Sequence, residues 1–196
     1  EWLLTDPGYP CNRHFVRSFE GLPVGIPVGP ESNFQPSPAD LEAHWNVRSA
    51  GALLASPANP TGTMLSNEQL DAIADFIRQR QGQLIVDEIY HGLTYDRVAP
   101  TALQFGDDIF IVQSFSKYFN MTGWRLGWLV VPERFTRDIE KLAQNLFISP
   151  STPAQHAALA AFTPATIAIL ETRRQEFQRR RDFLAPALEG LGFHLP

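Results

Sequence analysis

Short apolar runs punctuate the chain, and amphipathic stretches separate them. Residues 2–5 (Trp-Leu-Leu-Thr), 52–55 (Ala-Leu-Leu-Ala), 84–86 (Leu-Ile-Val), 109–112 (Ile-Phe-Ile-Val) and 128–131 (Trp-Leu-Val-Val) each predict a buried strand. The runs are continuous rather than alternating, as expected where both strand faces are covered. Residues 22–28 are apolar but broken by prolines, which predicts at best an edge strand. Ser37 and Pro38 open a helix to about Arg48, serine as N-cap and proline at the first helical position. The next helix starts at Ser66, with Gln69 completing a capping box and Leu65 and Leu70 forming a hydrophobic staple. Its apolar face is Leu70, Ile73, Phe76 and Ile77, and Gly82 ends it. Further helices are predicted over 12–20, 132–147, 153–162 and 165–188, the last long and amphipathic. Residues 192–196 read as the start of another strand, and the chain as a piece of a longer protein truncated at both ends.

Strands recurring at roughly thirty-residue intervals, with helices between them, predict an α/β fold: a three-layer α/β/α sandwich on a mostly parallel sheet. Ligands bind such sheets at the carboxyl ends of the strands. The residues after each strand therefore matter most. Tyr9 follows the first strand and Asn59 the run at 52–55. Asp87 and Tyr90 follow 84–86, and Ser114, Ser116 and Lys117 follow 109–112, with Arg125 one loop on. A parallel sheet brings all of them to one edge.

Composition narrows the classes. The 196 residues are 44% hydrophobic, enough for a sizeable core. A net charge of −5 predicts no nucleic-acid partner. The basic run Arg173, Arg174, Arg179, Arg180 and Arg181 is interleaved with Glu171, Glu176 and Asp182 at helical spacing and reads as a solvated helix face. The single Cys11 forms no internal disulfide and fits a reducing, cytoplasmic compartment. Five scattered histidines give no reason to expect a metal. No apolar run is long enough to cross a bilayer.

Lys117 has two readings, a surface ammonium or a desolvated amine able to form a Schiff base. Its neighbours favour the second. An arginine with serine hydroxyls suits a phosphate dianion. A carboxylate at the end of a buried strand holds a proton on a heteroaromatic nitrogen. A phenol and an amide hydrogen-bond a phenolate oxygen, and an aromatic ring stacks on a planar ligand. An aldehyde, a phosphate, a ring nitrogen and a phenolate together describe pyridoxal 5'-phosphate.

Asn59-Pro60-Thr61-Gly62, then Val86-Asp87-Glu88-Ile89-Tyr90, then Ser114-Phe115-Ser116-Lys117, then Gly123-Trp124-Arg125-Leu126-Gly127 resemble the ordered signature of class I/II aminotransferases, fold-type I pyridoxal phosphate enzymes. Asp6-Pro7-Gly8-Tyr9-Pro10 resembles the family loop carrying the ring stacked on the cofactor. The resemblance implies an aspartate aminotransferase-like large domain over 1–165. The interdomain helix and the start of a small domain would follow over 166–196. It implies Lys117 as the Schiff-base amine and proton carrier, and Asp87 as the partner of the pyridine nitrogen. Asn59 and Tyr90 would hold the 3'-oxygen. Ser114, Ser116 and Arg125 would hold the phosphate, and Tyr9 would stack on the ring. The family's glycine-rich phosphate loop is expected upstream and its substrate-carboxylate arginine downstream of this chain.

The implied activity is transamination between an amino acid and a 2-oxo acid, in a homodimer. Other readings stay open: a C–S lyase of the same fold, an aminotransferase-like sensor domain of a transcription regulator, or a hydrolase using Ser114-x-x-Lys117. Asp87 also reads as a helix N-cap, Arg125 as an ion-pair partner of Glu88 or Asp87, and Tyr95 as a core aromatic. Glu88, His91 and Tyr118 are read as structural.

Overall fold

The computed structural model describes residues 1–196. Six strands form one sheet: β1 (Trp2–Asp6), β2 (Pro23–Pro27), β3 (Gly51–Ala55), β4 (Gln83–Asp87), β5 (Ile109–Ser114) and β6 (Gly127–Val130). Their spatial order is β2-β1-β3-β4-β5-β6. The first five are parallel and β6 is antiparallel to β5, so the expectation of a mostly parallel sheet holds. The proline-broken segment is the edge strand expected of it. Its two prolines remove ladder donors and blunt that edge.

Six helices accompany the sheet: α1 (Pro10–Ser18), α2 (Pro38–His44), α3 (Asn67–Gln79), α4 (Thr136–Phe147), α5 (Thr152–Ala161) and α6 (Pro164–Glu189). The caps follow the sequence. Ser37 Oγ accepts from the Asp40 N–H, and Asp40 Oδ2 accepts from the Ser37 N–H. Ser66 and Gln69 repeat the arrangement on α3. Some boundaries differ from expectation: α1 runs over 10–18 rather than 12–20. α2 stops at His44, not Arg48, because Trp45 turns to an extended conformation and packs edge-on against Phe76 of α3 at 5.7 Å. The segment expected to be helical from residue 132 starts with a separate 3-10 turn, Glu133–Phe135. Residues 193–196 take no strand conformation, having no neighbouring strand to pair with.

The main core lies on one sheet face. Ala52, Leu54, Leu84, Val86, Ile109 and Ile111 pack with Leu41 of α2 and Leu70, Ile73, Phe76 and Ile77 of α3. Burial in β3 to β5 alternates, unlike the continuous burial expected: Leu53, Ile85 and Phe110 are only half-buried. Their face is more lightly covered, with Phe110 meeting Phe135 at 5.3 Å. Trp124, Trp128, Leu129, Leu146 and Phe147 are exposed beside the free edge of β6.

A second core sits beneath the segment after β5. Phe115, Met121, Ala158 and Ala161 are buried together. Phe115 contacts Phe119 at 4.9 Å, Trp128 at 5.1 Å and Phe162 at 5.7 Å. α6 packs on the body through its first half and makes polar contacts with it through Gln178 and Arg181 in its second. Leu170 is its one buried residue, while Phe177, Phe183 and Leu184 are exposed. The Tyr118 hydroxyl donates to Glu171 at 2.6 Å, and Arg174 pairs with the same carboxylate at 2.8 Å. Further along, Arg181 pairs with Asp96 and Asp182, and Arg179 and Arg180 pair with Glu176. The basic run is the solvated helix face expected of it.

Two stability predictions follow from this packing. Ile73, fully buried, leaves a cavity on Ile73→Ala, which costs about 2–5 kcal/mol and lowers the urea midpoint without changing the m-value. The Tyr118–Glu171 contact gives a pH window. Burial first, then the Glu171 bond, pushes the Tyr118 phenol up to about 12 from 10.0. The Tyr118 bond, then Arg174, holds Glu171 below 4.5. The phenol's contribution is complete below its unfolded value and lost as pH rises through about 12. The carboxylate's is complete above its unfolded value and lost as pH falls through its lowered folded value. The melting-temperature difference between wild type and Glu171→Gln is therefore flat from about pH 5 to pH 10 and shrinks on either side.

Candidate active site

The sheet delivers the chemistry to one edge. β1, β3, β4 and β5 end at Asp6, Ala55, Asp87 and Ser114, and the loops leaving them carry Tyr9, Asn59, Tyr90 and Lys117. Arg125 reaches the same edge by another route. It precedes β6, which runs antiparallel, so the start of β6 lies beside the end of β5, Gly127 opposite Ser114. Gly127 is required there, since a Cβ on it would sit 2.6 Å from the Gln113 carbonyl oxygen.

All eight residues singled out from the sequence line one cavity of about 250 Å³: Tyr9, Asn59, Asp87, Tyr90, Ser114, Ser116, Lys117 and Arg125. Ala55, Ile89 and Thr122 complete its wall. Roomier clefts lie beside Tyr95 and Arg181, about 570 Å³, and beside Trp124 and Phe147, about 880 Å³. Density of reactive groups, not volume, picks out the small cavity.

Asp87 closes β4 and is half-buried. Burial pushes its carboxyl above the ordinary range. The Ile89 N–H, at 3.0 Å, and the charge of Lys117 pull it back, while Glu88 adds to the rise. That one backbone bond is the side chain's only hydrogen bond, made within a tight turn rather than as a helix cap. The Lys117 ammonium lies 5.1 Å from the centre of the Tyr90 ring. The Tyr90 hydroxyl accepts from Asn59 Nδ2 at 3.2 Å, which joins two loops 31 residues apart in sequence.

The anion-binding side is built on the turn after β5. Ser114 Oγ accepts from the Ser116 N–H at 3.0 Å. Thr122 donates to the Ser116 carbonyl at 2.7 Å, closing the turn around Lys117. Arg125 holds a left-handed backbone, φ 53° and ψ 53°, and donates to the Thr122 carbonyl at 3.0 Å. It does not form the ion pair with Glu88 or Asp87 that its spacing also allowed. Glu88 is instead buried against His91, at 3.4 Å, and the Ala102 N–H. Tyr9 is partly exposed at the rim. The neighbouring Cys11 thiol first, with smaller contributions from Tyr90 and Asp87, raises its phenol above 10.0.

Sequence reasoning missed Thr122, whose signal was its place directly before Gly123-Trp124-Arg125. Tyr95 lines the larger cleft, half-buried, with Arg181 4.8 Å from its ring, rather than sitting in the core. No group of three or more His, Cys, Asp or Glu side chains is placed to hold a metal ion, and no helix is long and apolar enough to cross a membrane.

Comparison with known proteins agrees with this geometry. The sequence profile described as "Aminotransferase class I and II" matches residues 2–195. A valine–pyruvate aminotransferase of Mycobacterium tuberculosis is 40% identical over 191 residues, covering 96% of this chain and 49% of that protein. The crystal structure of an aminotransferase from Mycobacterium tuberculosis superposes with a TM-score of 0.93 at 38% identity, over 100% of this chain and 54% of its own. Aspartate aminotransferase from Thermus thermophilus, solved with maleate, gives 0.94 at 30% identity, over 98% of this chain and 51% of that one. The chain thus spans about half the length of the relatives it matches. Its sheet is that of aspartate aminotransferase-like proteins, and the chain belongs to the class I and II aminotransferase family.

Proposed function

We propose that the protein containing this chain is a pyridoxal 5'-phosphate-dependent aminotransferase moving an amino group between an amino acid and a 2-oxo acid. The observation that carries this is the convergence of one amine, one desolvated carboxyl, an amide–phenol pair and an arginine–serine cluster on one cavity. The residues fit the cofactor. Asp87, desolvated and holding a single hydrogen bond, gains most from a cationic N–H partner, which a protonated pyridine nitrogen is. Arg125 offers a guanidinium to a phosphate dianion, with the hydroxyls of Ser114 and Ser116 beside it. Asn59 and Tyr90, already paired, present an amide and a hydroxyl to the 3'-oxygen. Tyr9 stacks on the ring from the rim.

When bound, the cofactor supplies an aldehyde carbon for a lysine amine and a ring that draws electron density from the substrate α-carbon. Lys117 holds it and carries the proton at the substrate Cα. Asp87 keeps the ring nitrogen protonated. Residues 1–165 belong to the cofactor-binding large domain in this reading. Residues 166–196 hold the interdomain helix and the start of the small domain. The boundary is supported by its place at the start of α6, a 26-residue helix that begins at Pro164. The assembly is a homodimer in a cytoplasmic compartment.

Measurements on the complete protein test the reading. Borohydride reduction with pyridoxal phosphate followed by peptide mapping is expected to place the pyridoxyl group on Lys117, and Lys117→Ala to lower turnover by at least about 10³-fold. Labelling at Lys141 instead removes the assignment. Formation of pyruvate and ammonia from a β-substituted amino acid, with no keto acid matched by pyridoxamine phosphate, replaces transamination by elimination. Arg125→Lys is expected to weaken cofactor binding about 10- to 100-fold in equilibrium dialysis, through loss of bidentate phosphate contact.

A further inference from the structure

Asn59 and Tyr90 leave two different strands, and the ladder between those strands ends at Ala55 opposite Asp87. Past that point one backbone bond continues it, from the Ser56 N–H to the Asp87 carbonyl. The 3.2 Å contact between Asn59 and Tyr90 therefore depends on whatever holds the two loops together. The structure shows one polar device there. His91 Nε2 lies 3.1 Å from the Ser56 carbonyl oxygen, and His91 Nδ1 lies 3.4 Å from Glu88 Oε2. Ser56 and Glu88 are only 1% and 2% exposed. Glu88 is held in turn by the Ala102 N–H at 2.7 Å and by Gln113 Nε2 at 3.5 Å.

We propose that Glu88 and His91 are positioning residues that clasp the β3 and β4 loops and so set the Asn59–Tyr90 pair. A carbonyl oxygen only accepts, so Nε2 carries the proton in the bond to Ser56, a tautomer assigned from its partner. Nδ1 then faces the buried Glu88 side chain at 3.4 Å. Cutting the link to Ser56 takes the side-chain donor from a buried carbonyl, and cutting the link to Glu88 frees the ring that makes it. Its third anchor is steric. Gly92 turns the chain directly after His91 at φ +88°, and a Cβ there would meet the Tyr118 ring at 2.6 Å. The residue after Lys117 therefore packs on the residue after His91. Nothing in the clasp lines the cavity, so it acts through Asn59 and Tyr90.

The inference rests on the cofactor reading for one of its two readouts only. The first readout is the crystal structure of the complete apoprotein, wild type against His91→Phe. The expected result is an Asn59–Tyr90 contact in wild type that opens beyond about 4 Å in the variant. The second is the pH midpoint of visible absorption of the pyridoxal phosphate-loaded protein. Tyr90→Phe sets the reference, and His91→Phe is expected to move the midpoint in the same direction by about one unit. Glu88→Gln keeps an acceptor for Ala102 and turns an amide N–H toward Nδ1, so it is expected to rescue most of both readouts. His91→Leu serves if His91→Phe fails to fold. An unchanged contact distance in a folded His91 variant overturns the clasp, and so does an opened contact with an unmoved midpoint. A wild type that takes up no cofactor overturns the proposed function, while the apoprotein distance still decides the clasp.

Discussion

The reversal of direction between β5 and β6 is the constraint on which the site depends. Parallel strands deliver one residue set each to the carboxyl edge, and a residue opening a further parallel strand would lie at the opposite edge. Because β6 returns antiparallel, Arg125 stands within one turn of Ser114 and Lys117. The close approach at Gly127 permits this pairing. Cation, hydroxyls and amine are thus brought together by backbone hydrogen bonds, against the repulsion of the two like charges.

Two cores divide the mechanical work. The larger one, between α2, α3 and one sheet face, fixes strand register and hence the order of the loops. The smaller aromatic one supports the turn bearing Lys117 from below, through Phe115, Phe119 and Phe162. α6 adds polar fastening at Tyr118 and leaves its second half outside both cores.

Much of this was legible in the sequence because local chemistry dictated it. Ser66 and Gln69 specify a helix start wherever they occur, and the apolar runs specify strands. The convergence of seven of the eight cavity residues was readable because each ends or follows a parallel strand, and parallel strands have only one carboxyl edge; Arg125 arrives instead by the antiparallel return of β6. What remained hidden was non-local. Nothing near Trp45 announces that it will abandon α2 to meet Phe76. Thr122 looks like any loop threonine until the turn closes on Ser116. His91 and Glu88 looked merely structural, since their partners, Ser56 and Ala102, lie on other segments.

In the proposed reaction, the aromatic support under residues 115–119 also bears on rate. A lysine side chain has some 2 kcal/mol of rotamer freedom to lose, and a mobile backbone would add more at every catalytic event. Here the main chain on either side of Lys117 is settled when the protein folds, by the packed rings of Phe115, Phe119 and Phe162. Only the terminal bonds of the amine are left to search. Much of the ordering that raises effective molarity in this site is thus inherited from a hydrophobic core, and a bulky change at Phe119 or Phe162 would reach the chemistry as lost orientation rather than lost contact.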